Sequence, residues 1–361
     1  IHVALSPILK TTGEQKTKPV QHSVQELRRI GIQPDAIVVR SERDLEDEAR
    51  AKIALYSNLP PKAVFGAPDV DIIYKVPLLL HDRGYTGYIT KRLNIGYREP
   101  DLGKWRDFVD KLVNARQEIK IVLVGKYTKL HDSYLSILEA LKHACAWNNV
   151  ELFLKWIEAT DIEKKKIPVE TVLDGDGAII LPGFGKRGAE GKIMAINILR
   201  ENEKPLLGIC FGMQLMVVEA ARNLLGLENA NSTELDPNTP HPVVDLLPSQ
   251  YSIEHLGGSM RLGAQPIRIV RGTLAHKIYG KDIVYERHRH RYEINPKYID
   301  KLESIGLKIS GWSQENYPEF IEFSNYSTFY FGTQPHPEFK SRPLNPSPVF
   351  NSFIRNILRH R

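Results

Sequence analysis

The chain has 361 residues, 42% of them hydrophobic and 25% charged, which is the make-up of a globular protein long enough for two domains. Its net charge of +6 is spread along the chain and suits small anionic substrates such as nucleotides; with no zinc-finger spacing, RNP-like motif or repeat, no nucleic-acid partner is expected. No apolar run approaches the roughly 18 residues of a membrane helix, and two cysteines (Cys145 and Cys210) do not make a disulfide framework, so no membrane association and a cytoplasmic location are expected.

Residues 1–5 read as a strand that opens the chain. The polar stretch from Thr11 to Ser23 follows, with Lys16 and Lys18 two apart before Pro19. In an extended segment both ammonium groups face one side and could meet a polyphosphate, although a solvated loop explains the spacing better. Ser23 reads as an N-cap with Glu26 completing a capping box for a helix through Ile30, closed by Gly31. A short buried strand at 36–39, a helix over 44–57 carrying Lys52, a β/α piece opening at Pro68-Asp69-Val70-Asp71 and an amphipathic helix over 102–115 come next. Such alternation predicts a parallel-sheet α/β domain, and the lack of a phosphate-binding glycine loop before the first strand predicts an incomplete one.

A second domain is expected from residue 118. Strands are predicted at 119–124, 150–156 and 177–181, with a helix over 133–147 and another reaching residue 201. This cadence means an open doubly wound sheet, whose ligands sit beyond the carboxyl ends of the strands. Pro182-Gly183-Phe184-Gly185 and Gly208-Ile209-Cys210-Phe211-Gly212 both fall there. The second run reads as a nucleophile elbow with cysteine at its apex, followed at once by a helix. Its glycines clear space for a strained central residue, and a helix N-terminus favours a thiolate. Farther on, 256–263 reads as a glycine-supported turn, 329–333 as a strand and 349–359 as a closing helix.

A thiol nucleophile needs a base, and the base needs an orienting group. His336 and Glu338 supply both across Pro337; on an extended segment i and i+2 share a face, giving a Cys-His-Glu triad. The N–H of Phe211 is the expected first oxyanion donor, and one near Gly183 the second, though Gly183 serves a tight turn equally well. From Arg287 to Arg291 histidines and arginines alternate, so His288 and His290 face one side. As a metal site this is poor: no third ligand is evident and cations flank it, so no metal is expected. The guanidiniums suit carboxylate recognition better.

On these residues the chain resembles the CTP synthase family over essentially its whole length. The carriers are Gly-Ile-Cys-Phe-Gly-Met-Gln at 208–214, Glu-Asn-Ala-Asn-Ser-Thr-Glu at 228–234, Leu-Gly-Gly-Ser-Met-Arg-Leu-Gly at 256–263, Glu-Arg-His-Arg-His-Arg-Tyr-Glu at 286–293 and His-Pro-Glu-Phe at 336–339. The resemblance implies two doubly wound parallel-sheet domains: the C-terminal portion of an amidoligase (synthetase) domain over 1–100, a linker helix over 101–117, and a type 1 (class I) glutamine amidotransferase domain over 118–361. It implies that Cys210 forms a glutamyl thioester and releases ammonia, with His336 as base and then acid and Glu338 orienting it. Glutamine would lie against Gly183, Phe211, Gly212, Met213, Gln214, Glu234 and Arg291, with Glu234 on its α-ammonium and Arg291 on its α-carboxylate.

In the N-terminal part, the resemblance implies that Lys16, Thr17, Lys18, Pro19, Val20 and Gln21, together with Lys52, bind UTP and the feedback inhibitor CTP. Asp69 and Val70 would lie near the ATP adenine. The resemblance further implies that ATP and Mg2+ serve the amination of UTP, that GTP activates the glutaminase step through the loop around Arg187 and Gly188, and that the full-length enzyme is a homotetramer. Two departures stand out. The family's P-loop segment, with its phosphate and magnesium ligands, is expected to be missing from this chain, and only Gly183 separates Pro182 from Phe184 where the family has two glycines. The alternatives are an amidotransferase for another acceptor and a non-catalytic nucleotide-binding fragment.

Overall fold

The computed structural model describes residues 1–246 and 260–361. Two compact units divide the chain, Ile1–Asp110 and Lys111–Arg361. The first contains strands β1 (His2–Leu5), β2 (Ile37–Ser41) and β3 (Val64–Pro68), and helices α1 (Lys18–Arg29), α2 (Asp47–Tyr56), α3 (Val76–Asp82) and α4 (Tyr85–Arg92). Helix α5 (Gly103–Asn114) runs across the division. The three strands are parallel in the order β1-β2-β3, with His2 opposite Ile37 and Ile37 opposite Val64. Ile37 and Val39 face one apolar cluster with Val20, Val24 and Ile53; Val38 and Phe65 face another with Tyr85 and Tyr88. Alternate residues thus go to opposite faces, and both faces are covered, as parallel sheets require.

Helix α1 starts five residues before the expected cap. Pro19 sits in its first turn, where its fixed φ favours a helix start, and Val20 and Val24 are both fully buried one turn apart. Ser23 is therefore inside the helix; its hydroxyl meets His2 Nε2 at 2.8 Å, and Glu26 pairs with Arg29 at 2.8 Å. The capping box does not form.

The second unit begins with β4 (Gln117–Gly125), α6 (Leu135–Trp147), β5 (Val150–Glu158), the short α7 (Ala159–Glu163), β6 (Gly177–Ile180), α8 (Ala189–Glu201), β7 (Leu206–Ile209) and α9 (Phe211–Asn223). It continues through β8 (Asn231–Ser232), β9 (Pro242–Leu246), β10 (Arg261–Ile269), α10 (Leu274–Tyr279), β11 (Ile283–His290), β12 (Tyr292–Ile294), α11 (Ile299–Ser304), β13 (Leu307–Trp312), β14 (Pro318–Phe323), β15 (Tyr330–Thr333) and α12 (Pro348–Arg359). Nine strands form one sheet in the order β11-β10-β13-β14-β15-β7-β6-β4-β5.

From β15 to β5 the pairing is parallel, giving the expected α/β core. Along β4, Val122 and Val124 pack on the α8–α9 side while Ile121 and Leu123 pack on the α6–α12 side, so the strand reads as one continuous apolar run. The other four strands extend this core antiparallel. Their pattern is harder to read in the sequence because β11 buries Glu286, His288 and His290 where apolar residues are the rule. The glycine turn expected at 256–263 lies partly outside the described residues; from Arg261 the chain is already in β10. Among the described residues no helix is long and apolar enough to cross a membrane.

Candidate active site

Strand β7 ends at Ile209 and α9 begins at Phe211, leaving Cys210 alone to make the turn. It does so at φ 53°, ψ −107°, in the positive-φ region that L residues rarely adopt. The flanking glycines are sterically required. A Cβ at Gly208 would lie 2.2 Å from Met216 Sδ, and one at Gly212 would lie 2.3 Å from the Ile180 carbonyl oxygen. Cys210 is buried, and its N–H donates to the Thr333 carbonyl at 2.7 Å, tying the elbow to β15.

That link brings in His336. Strands β15 and β7 run parallel with Thr333 opposite Ile209, so both chains leave the sheet at one edge. Three residues later the His336 N–H donates to the Arg287 carbonyl at 2.8 Å, and its Nδ1 lies 2.7 Å from Glu338 Oε1. Contact is made across a 3-10 turn, Pro337–Lys340, not along the extended segment expected from the sequence. Burial alone would push the His336 imidazolium down; the neighbouring Cys210 sulfur, and then Glu338, reverse this and raise it to about 10. The arrangement thus favours a protonated His336 imidazole, with Glu338 fixing the ring.

Cys210 and His336 open into a cleft of about 630 Å3, whose lining includes Gly183, Phe211, Gln214, Glu234, Arg289 and Arg291. Burial raises the Glu234 carboxyl, opposed by the Gly185 N–H at 2.7 Å and by Lys126 and Arg291. An acidic and a basic group therefore face the same cleft as the thiol, which suits an amino acid carrying both charges. Two expected contacts lie elsewhere: Met213 is fully buried in the core, and Gly212 packs against Ile180. They shape the elbow from below.

Gln334, given no role from the sequence, is fully buried and points its Nε2 at Cys210 Sγ, 3.7 Å away. Its Oε1 accepts from Gln214 Nε2 at 3.2 Å, and Gln214 also donates to the Tyr292 carbonyl at 2.9 Å. Its place two residues before His336 on the same strand exit was the available signal.

Along β11 the side chains alternate as expected, with His288 and His290 inward. The expectation that no third metal-ligating group accompanies them is corrected. Glu319, from β14, lies 3.6 Å from His288 Nδ1, which in turn is 3.0 Å from His290 Nε2. Sequence spacing could not disclose a partner on another strand. The same carboxylate is 2.7 Å from the Arg261 guanidinium, which also pairs with Glu293 at 2.7 Å, so the cluster is an internally paired network.

Comparison with known proteins places the chain in a family. The family model for class-I glutamine amidotransferase matches residues 129–356, and that for the CTP synthase N-terminus matches residues 1–95. CTP synthase of Aeropyrum pernix is 58% identical over 363 residues, covering 100% of this chain and 68% of that protein. The chain belongs to the CTP synthase family. The enzyme of Thermococcus gammatolerans is 56% identical, covering 98% of this chain and 66% of its own length. The chain thus spans about two thirds of the length of the curated relatives it matches. The glutaminase domain of Trypanosoma brucei CTPS, solved with bound acivicin, superposes with a TM-score of 0.63 at 33% identity, covering 67% of this chain and 94% of that one.

The residues that resemblance to CTP synthases assigned to nucleotides are placed as follows. Thr17 is already in helical backbone and Lys18 opens α1, so Lys16 and Lys18 do not share the face of an extended segment. Lys16 pairs with Glu14 at 2.6 Å; Lys18 and Pro19 are exposed. Val20 is core, and Gln21 is buried with its Nε2 donating to Thr17 Oγ1 at 3.0 Å. Lys52 is exposed on α2 and paired with Glu48 at 2.6 Å. Asp69 is exposed and paired with Arg40 at 2.6 Å, and Val70 is half-buried beside it.

In the second unit, Arg187 stacks its guanidinium 4.2 Å from the Tyr127 ring centre, and the Gly188 N–H donates to Glu163 at 2.8 Å.

Proposed function

We propose that this chain carries the glutaminase half of a CTP synthase, whose whole reaction is the ATP-dependent amination of UTP. Cys210 attacks the carboxamide carbon of glutamine, and the tetrahedral oxyanion is met by the Phe211 N–H and a second N–H from the Gly183 segment. First-turn amides have no intrahelical acceptor, so the Phe211 N–H is available for this. His336 hands its proton to the departing nitrogen, releasing ammonia and leaving a glutamyl thioester. It then takes a proton from water to hydrolyse that ester, while Glu338 keeps the ring in register. Glu234 receives the substrate's α-ammonium and Arg291 its α-carboxylate. The observation that carries this reading is a cysteine held at φ 53°, sharing one cleft with His336 and with both Glu234 and Arg291.

Within this reading, residues 1–100 belong to the synthetase domain, 101–117 form a linker helix, and 118–361 form the amidotransferase domain. The Lys16–Gln21 stretch and Lys52 meet UTP or CTP, and Asp69 and Val70 lie near adenine. GTP acts through the Arg187–Gly188 loop, and the full enzyme is a homotetramer of the cytoplasm. The donors present do not suit magnesium. Among the described residues the grouping of three metal-ligating side chains contains two histidines, whereas magnesium takes oxygen ligands. The test is a glutaminase assay with and without GTP. Cys210→Ala should lower ammonia release by at least about 10³-fold, and undiminished release rejects the triad.

A further inference from the structure

Lys192 is a buried charged side chain for which the mechanism above has no use. It stands on α8, is 2% exposed, and its Nζ donates to the Leu181 carbonyl at 2.6 Å. Among the described residues no carboxylate comes within ion-pair distance of it. A buried ammonium without an anionic partner is costly, and an apolar side chain of equal length would fill the same space without that cost.

Its surroundings give it a task. Leu181 is the last residue before the Pro182–Gly183 loop, and its own N–H is already spent on the Val124 carbonyl at 3.0 Å. Pro182 offers no N–H, so the Leu181 carbonyl is the remaining polar handle on that peptide bond. Three residues on, the Phe184 carbonyl accepts from Lys126. The loop is therefore suspended between two ammonium groups, one behind it and one at the cleft. A Cβ placed on Gly183 would lie 3.7 Å from Lys192 Nζ, and the Phe211 ring centre is 5.3 Å from the same nitrogen. Gly183 and Phe211 are the two residues expected to supply the oxyanion donors.

We propose that Lys192 is a positioning residue for glutamine hydrolysis: its hydrogen bond to the Leu181 carbonyl fixes the Gly183 segment opposite Phe211, and its buried charge lowers the energy of the oxyanion formed between them. The inference rests on the glutaminase reading above. Burial pushes the Lys192 ammonium down to about 7, Lys126 adds to the fall, and the Cys210 sulfur and Glu158 oppose it.

The experiment uses the full chain and Lys192→Met, which keeps length and removes the donor and the charge. Hydrolysis of glutamine should lose about 10- to 100-fold in kcat with KM within about threefold, the loss expected when oxyanion stabilisation alone is weakened. Alkylation of Cys210 by iodoacetamide forms no oxyanion, so its rate should stay within about threefold of the parent. Amide hydrogen exchange in a peptide covering 182–188 should accelerate. Unchanged kcat, or equal losses in hydrolysis and alkylation, overturns the proposal. If Lys192→Met fails to fold, Lys192→Gln is read by the same criteria. If the parent chain itself releases no ammonia, the glutaminase reading fails, and unchanged exchange at 182–188 separately rejects the positioning role.

Discussion

His336 sits where burial and charge oppose each other, and charge prevails. Because its folded pKa is raised to about 10 by the Cys210 sulfur and by Glu338, removing the sulfur should let burial take over. In Cys210→Ala the imidazole should titrate well below its position in the parent, as followed by its NMR shifts. The same raised value fixes a sign. The pair's contribution to stability is complete below the unfolded pKa of about 6.5 and is lost as pH rises through the folded value. Urea midpoints of the parent should therefore fall more steeply between about pH 6.5 and 10 than those of Cys210→Ala. Glu338→Gln, which keeps shape but not charge, should lower kcat by about 10²- to 10⁴-fold with KM little changed, measured by ammonia release. Gln334→Ala removes the amide beside the sulfur and tests a residue whose part the motif did not disclose.

At the scale of the element, the elbow is a matter of van der Waals space. Gly208→Ala forces a methyl toward Met216, the far end of a flexible side chain, whereas Gly212→Ala drives one into the Ile180 backbone oxygen. Overpacking of this kind costs about 1–3 kcal/mol, and more where backbone must yield. Gly212→Ala should thus lower the urea midpoint more than Gly208→Ala does. Helix α1 illustrates the reverse case, in which a local signal loses. Ser-x-x-Glu at 23–26 has the form of a capping box, yet two buried valines one turn apart and a proline in the first turn place the helix start at Lys18. Helices α8 and α9 are joined by a buried ion pair, with Arg200 Nε 2.9 Å and 3.1 Å from the two Glu219 oxygens. Glu219→Ala should cost about 3–5 kcal/mol in equilibrium unfolding because it strands a buried guanidinium.

At the scale of the whole second unit, β10, β11, β12 and β14 contribute Arg261, His288 and His290, Glu293 and Glu319 to one buried network. Burial raises the Glu293 carboxyl to about 7, with Arg261 opposing; Glu319 is raised too, by burial and then by Glu293. Carboxyls raised in the folded state contribute stability below the unfolded pKa of about 4.3, lost as pH rises through the folded value. Arg261→Met removes the shared cation, so its unfolding free energy should drop more between pH 5 and 8 than that of the parent. A parallel pH slope in the two proteins would reject a shared role for Arg261.

Much of the fold could be read from local patterns. Continuous apolar strands alternating with amphipathic helices dictated the α/β class, because a strand buried on both faces has no polar side to display. The elbow and the His-Pro-Glu turn were legible because backbone strain and side-chain chemistry both restrict which residues can stand there. Which groups meet across the sheet was not legible. Glu319 beside His288, Gln334 beside Cys210 and Lys192 beneath Gly183 depend on strand order and helix docking, which bring together residues far apart in the chain. The sequence by itself determined the strained turn at Cys210, since a cysteine between two glycines at the end of an apolar strand carries its reason locally. Only the tertiary structure decided what surrounds that cysteine, because burial, register and the low dielectric of the interior are properties of packed elements and not of any one segment.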